Sequence, residues 1–125
     1  MKAVVYKKYG TCHESLAICE IEQPQIRATQ VLIRVKAASI NALDYRRFDN
    51  LSRIGNFFES KILKNIGKVP GADISGIVQQ VGEKVKKFKP GDEVFGFTGA
   101  TRGGFAEYAC ADEKCPIPKA CKYII

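Results

Sequence analysis

The sequence predicts a mainly β domain with short helices, its antiparallel sheet bent into a barrel. Val31, Ile33, Val35 and Ala37 alternate with Leu32, Arg34 and Lys36, the period of a half-buried strand. A second apolar run, Ile74, Ile77, Val78, Val81 and Val85, is divided by Gly71, Gly76 and Gly82. Glycines inside a strand pattern mark bulges, corners or places where another backbone comes close. Pro90-Gly91-Asp92 then turns the chain into Val94, Phe95 and Phe97. Proline supplies a locked φ for that turn and glycine the freedom to complete it.

Taken in order, Lys2 to Tyr9 reads as a first strand, ended by Gly10. Leu16 to Glu22 gives a second, with Leu16, Ile18 and Glu20 on one face, Ala17, Cys19 and Ile21 on the other, and Pro24 as its stop. After the strand from Val31 to Ala37 the pattern changes. Asn41 is placed to cap a short helix through its side chain, with Asp44 in the first turn, where negative charge is favoured. Leu51, Ile54, Phe58 and Ile62 recur at three- and four-residue steps, predicting an amphipathic helix up to about Lys64. After Phe97 come a glycine-rich loop, Thr98 to Gly104, a strand from Phe105 to Ala111, and an extended edge at Cys115 to Pro118.

The 125 residues make one domain, 46% hydrophobic and 26% charged, a composition that excludes disorder. The net charge of +7 is concentrated in Lys84, Lys86, Lys87 and Lys89, with a looser set from Arg46 to Lys68. Only Phe88 interrupts those lysines and no nucleic-acid module signature is present, so a solvated loop is expected and no nucleic-acid partner. No apolar run approaches the roughly 20 residues that span a bilayer, so no membrane role is expected. The first residues lack the apolar core of a signal peptide, and five cysteines make an odd count. The expectation is a cytoplasmic protein with reduced thiols.

The usual chemical motifs are poorly served. Cys110, Cys115 and Cys121 are spaced by five and six positions, which fits no common zinc pattern, and Cys12 with His13 supplies two ligands where a catalytic site takes three. No metal is therefore expected. The loop from Gly99 to Gly104 has P-loop glycine spacing, but Phe105 stands where a lysine must reach phosphate. No Gly-x-Gly-x-x-Gly occurs. Nothing places His13 as a base beside a cysteine, so buried, unreactive thiols are expected.

Gly71-x-Asp73-x-x-Gly76-x-Val78-x-x-Val81-Gly82-x-x-Val85, then Phe88 to Gly96 and Gly103-Gly-Phe-Ala-Glu-Tyr108, resembles the medium-chain dehydrogenase/reductase superfamily. Within it the resemblance is to the zinc-free quinone oxidoreductase and enoyl reductase branch, and runs from Met1 to about Pro118. It implies that residues 1–125 form the amino-terminal, GroES-like catalytic domain of such an enzyme. In the family the chain after an Ile-Pro like Ile117-Pro118 enters a dinucleotide-binding domain. Here it ends at Tyr123-Ile-Ile125, so a truncated domain without the cofactor's own fold is expected. Zinc-dependent members carry a catalytic cysteine where this chain has Asn41, a His-Glu pair where it has Ala72-Asp73, and a four-cysteine lobe after the strand near Phe97. Zinc independence is the corresponding expectation.

The resemblance implies that Asn41 hydrogen-bonds near the nicotinamide ribose of NADPH and that Tyr45 lines the substrate pocket as the catalytic donor. An amide and a phenol suit hydride chemistry, since both donate hydrogen bonds without charge at neutral pH. Plain helix capping by Asn41 is compatible with that role, and Asp44 is expected to be structural. The implied activity is hydride transfer to a quinone or other α,β-unsaturated carbonyl substrate. The fragment alone is expected to be inactive and to bind NADPH weakly. The alternative is a non-catalytic binding module that self-associates as a homo-oligomer through apolar surface at Phe57, Phe58 and residues 123–125.

Overall fold

The computed structural model describes residues 1–7, 16–42, 44, 69–99 and 103–115. The predicted helix at 51–64, Phe57 and Phe58, Cys12, His13, Tyr45, Cys121 and residues 123–125 lie outside the described residues.

Six strands account for most of what is described: β1 (Lys2–Tyr6), β2 (Leu16–Glu20), β3 (Gln30–Ser39), β4 (Asp73–Val81), β5 (Glu93–Phe97) and β6 (Tyr108–Asp112). Every pairing is antiparallel. β5, β4, β3 and β6 form one sheet in that order, and β1 with β2 forms another. The two meet at the bridge between Ala3 and Ala106, where Val4 N–H donates to Phe105 O at 2.8 Å and Glu107 N–H to Lys2 O at 3.1 Å. The segment predicted as the start of a strand at Phe105 is therefore the junction between the sheets. The architecture is the expected mainly β, GroES-like one, and among the described residues the ring is not closed by a continuous ladder.

The core lies on one face of the larger sheet. Val31, Ile33, Ile74, Val78, Val94, Ala109 and Ala111 form its buried centre, with Val35, Val81, Val85 and Phe88 packed against them. Burying such aliphatic side chains contributes roughly 1.5–3 kcal/mol each before entropy is counted. On β2 the inward face is Ala17 and Cys19, which register with Val5 and Ala3, while Ile18 is 77% exposed.

Two irregularities shape β3 and β4. Leu32 pairs with Gln80 and Ile33 with Val78, so Gln79 is an extra residue on β4. Val35 pairs with Gly76 and Ala37 with Ser75, so Lys36 is an extra residue on β3. A bulge reverses which residues share a face beyond it. The expected alternation through Ala37 thus stops at Val35: Ala37 and Ser39 register with Ser75 and Asp73 on the face opposite Ile74. Gly76, at this crossing, shows the close approach its position predicted, since a Cβ there would sit 2.3 Å from Arg34 O.

The lysine-rich segment is a solvated turn. Lys84, Lys86, Lys87 and Lys89 are exposed while Val85 and Phe88 reach the core. The backbone N–H groups of Lys86 and Lys87 both donate to the Glu113 carboxylate, tying this turn to the end of β6. Thr29 Oγ1 and Lys114 N–H donate to Asp112 at 3.0 Å each. These bonds, the Lys114 amide first, hold the Asp112 carboxyl below the usual carboxylate range. Cys115 lies in the turn after β6, its N–H on Asp112 O at 2.9 Å, and the rest of the predicted extended edge, residues 116–118, lies outside the described residues. Among the described residues no helix is long and apolar enough to cross a membrane.

Candidate functional site

The bulge at Lys36 turns Ala37 and Ser39 outward, and β3 ends at Ser39 beside the start of β4. Ile40 follows, 81% exposed. Asn41 then opens a helical turn: its C=O accepts the Asp44 N–H, and the Asp44 carboxylate accepts the Asn41 N–H, both at 3.1 Å. The second bond is one half of a capping box, in which the side chain at the third helical position reaches back to the cap residue's own N–H. Asp44 satisfies that orphan donor with its side chain.

Asp44 is only 1% exposed, and its other carboxylate oxygen accepts the N–H of Gly71 at 3.3 Å. Gly71 has a φ of +96°, and a Cβ there would lie 2.7 Å from the backbone nitrogen of Phe105. Glycine is what the close packing and the left-handed backbone both require. One buried carboxylate therefore ties the turn after β3 to the strand entry before β4.

The Asn41 side-chain amide is directed elsewhere, donating from Nδ2 to the Asp73 carboxylate. Asp73 lines an open groove of about 460 Å³ together with Ala37, Ala38, Ser39, Ile74, Ser75, Phe95 and Gly96. Its floor is the outward face at the ends of β3, β4 and β5, where Ser75 registers with both Ala37 and Phe95. Phe95 is 46% exposed and supplies an apolar flank. The groove thus combines an aromatic wall, small residues that leave room, two hydroxyls and the Asp73 carboxylate, to which the Asn41 amide donates.

Of the two residues singled out in the sequence, Asn41 is hydrogen-bonded to Asp73, which lines this groove, and Tyr45 lies outside the described residues. Sequence reasoning missed Asp73 as a site residue. Its signal was present, an acidic residue in a Gly-x-Asp strand entry, but its partner is 32 residues away. Asp44 is structural as expected, though as a buried brace between two segments more than a first-turn charge. Cys110 is buried, and burial pushes its thiol pKa up, the behaviour of a packing thiol and not of a nucleophile. Among the described residues no group of three or more His, Cys, Asp or Glu is placed to hold a metal.

The alcohol dehydrogenase GroES-like domain family matches residues 27–120. The chain is 36% identical over 121 residues to the 2-methylene-furan-3-one reductase of Solanum lycopersicum, a match covering 91% of this chain and 29% of that protein. It is likewise 36% identical over 121 residues to the chloroplastic NADPH-dependent alkenal/one oxidoreductase of Arabidopsis thaliana, covering 91% and 30%. The solved quinone oxidoreductase of Coxiella burnetii superposes with a TM-score of 0.82 at 30% identity, over 100% of this chain and 38% of that one. The chain therefore spans about a third of the length of the relatives it matches. By its matched residues, strand topology and relatives, the chain belongs to the alcohol dehydrogenase GroES-like domain family of the medium-chain dehydrogenase/reductase superfamily.

Proposed function

We propose that the chain is the substrate-side domain of an NADPH-dependent, zinc-independent oxidoreductase that reduces quinones or α,β-unsaturated carbonyl compounds in the cytoplasm. The observation that carries this reading is the hydrogen bond from Asn41 to Asp73, a residue that lines the groove floored by β3, β4 and β5. Where zinc-dependent relatives are expected to place metal ligands, this chain sets an amide and a carboxylate hydrogen-bonded to each other, chemistry that suits hydroxyl recognition.

The groove residues fit the nicotinamide end of the cofactor. Asn41 and Asp73 would meet the ribose hydroxyls, and Phe95 with Ala37 and Ala38 would pack apolar surface beside the ring. When bound, NADPH supplies a hydride to the electron-poor carbon of the acceptor. The protein's own contribution is to orient, to exclude water and to hydrogen-bond the acceptor oxygen as charge develops. We assign that last role to the Tyr45 phenol. Cofactor affinity of the chain alone is weak on this reading, because it has no Gly-x-Gly-x-x-Gly to hold a pyrophosphate.

The test is backbone amide shift mapping of the protein with millimolar NADPH, and separately with duroquinone, whose fully substituted ring resists thiol addition. Shifts are expected at Ser39, Asn41, Asp73, Ser75 and Phe95, with negligible NADPH oxidation when both are present. Shifts absent, or confined to residues away from the groove, would reject the proposal. Saturable turnover by the chain alone would reject its weak-affinity part.

A further inference from the structure

Asp73 opens β4 opposite Phe97 of β5, and Ser75, two residues on, registers with Phe95. Asp73 and Phe95 are therefore diagonal neighbours on the outward face of one antiparallel ladder, a relationship that sets two residues roughly 7–8 Å apart. Both line the groove, and among its described lining residues Asp73 is the only one with a charged side chain. The Asn41 amide that donates to it is neutral. Lys36, the extra residue of β3, is exposed but does not line the groove, and among the described residues no lysine or arginine pairs with Asp73. The described walls thus set a negative charge beside an exposed aromatic face, in a protein whose net charge is +7.

A flat ring stacks on an aromatic neighbour with centroids about 4.5–7 Å apart, which fits the room between these two side chains. If that ring is positive, the negative face of Phe95 and the charge of Asp73 both attract it. We infer that the groove selects a flat organic cation over a neutral ring of the same shape, with Asp73 as the counter-charge and Phe95 as the stacking face. The selectivity follows from these two residues; only the identity of the ring rests on the oxidoreductase reading. On that reading the ring is the pyridinium form of nicotinamide, and the groove prefers the state left once hydride has passed to the acceptor.

Backbone amide shift titrations with two small probes test this without the whole cofactor. One is 1-methylnicotinamide, a cation; the other is 3-methylbenzamide, its neutral isostere. Both are expected to shift Ser39, Asp73, Ser75 and Phe95, with the cation bound about fivefold more tightly. Asp73→Asn, which removes the charge at nearly constant shape, should bring the cation down to the affinity of the neutral ring. Phe95→Leu should weaken the cation about threefold. If the asparagine variant does not fold, salt reads the same charge in the unaltered chain, since the preference should shrink between about 0.01 M and about 1 M. Equal affinities for the two probes overturn the inference, as do a preference that survives in Asp73→Asn or at high salt and the absence of groove shifts with either probe.

NADPH titration separates this inference from the reading it extends. If NADPH shifts no groove residue while 1-methylnicotinamide does so with the expected preference, the cofactor reading fails and the cation selectivity stands. If NADPH shifts the groove while the two probes bind equally, the cofactor reading stands and the selectivity fails.

Discussion

The carboxylate of Asp44 accepts the backbone N–H of Gly71, 27 residues further along the chain, at 3.3 Å while also accepting that of Asn41 at 3.1 Å. Two segments that meet at the groove are joined through one side chain. Asp44→Ala would leave both donors without their acceptor, one of them, on Gly71, buried. Loss of about 2–3 kcal/mol is expected in chemical denaturation, with Asp44→Asn losing less because its carbonyl oxygen still accepts.

Close approach at Gly76 gives a second prediction. A Cβ there meets Arg34 O at 2.3 Å and an Ile33 side-chain carbon at 2.8 Å, and neither can move without parting β3 from β4. Gly76→Ala is expected to cost about 2–3 kcal/mol or prevent folding. A denaturation midpoint equal to that of the unaltered chain would contradict the packing.

The two faces of the β strands predict opposite tolerance. Ile33 has no exposed surface, so Ile33→Ala should cost about 2–5 kcal/mol, including the cavity it leaves. Ile18 is 77% exposed, and Ile18→Ala should fall within about 0.5 kcal/mol of no change. Thermal unfolding of the pair decides whether the face assignment is right.

Acid sensitivity should arise partly at Asp112. Its carboxyl is lowered by the Lys114 amide and the Thr29 hydroxyl, so the folded state binds a proton there less readily than the unfolded chain does. That contribution is complete above the ordinary carboxylate pKa and is lost as pH falls through the lower, folded value. Asp112→Asn is expected to flatten the fall of the melting temperature below about pH 4, with the remaining carboxylates unaffected.

Thiol chemistry offers a fifth check. Burial raises the Cys110 pKa, so at mildly alkaline pH less thiolate is present and less of it is reachable. Alkylation of the native protein should modify Cys115, which is half-buried in a turn, well before Cys110. Comparable rates for the two would show that β6 opens more readily than its burial implies.

Much of the fold was legible because its signals are local. Val31, Ile33 and Val35 alternate over neighbouring positions, Pro90-Gly91 announces its own turn, and Gly76 marks a crossing by lacking a side chain. Ala37 was misplaced for the opposite reason. The extra residue at Lys36 is defined only by what β4 offers across the ladder, and nothing in the alternation of β3 reports it.

The same division separates what the chain's order of residues determined from what folding added. Residue types and their periods determined an antiparallel β domain of a known family, its buried face and the candidacy of Asn41. Tertiary structure decided that the Asn41 amide turns to Asp73, that Asp44 is a buried brace, and that Ala37 and Ser39 face the groove. Those outcomes depend on hydrogen bonds between segments 27 and 32 residues apart. Such bonds are strong only after the sheet has brought their partners together, and they leave no periodic trace in the sequence on either side.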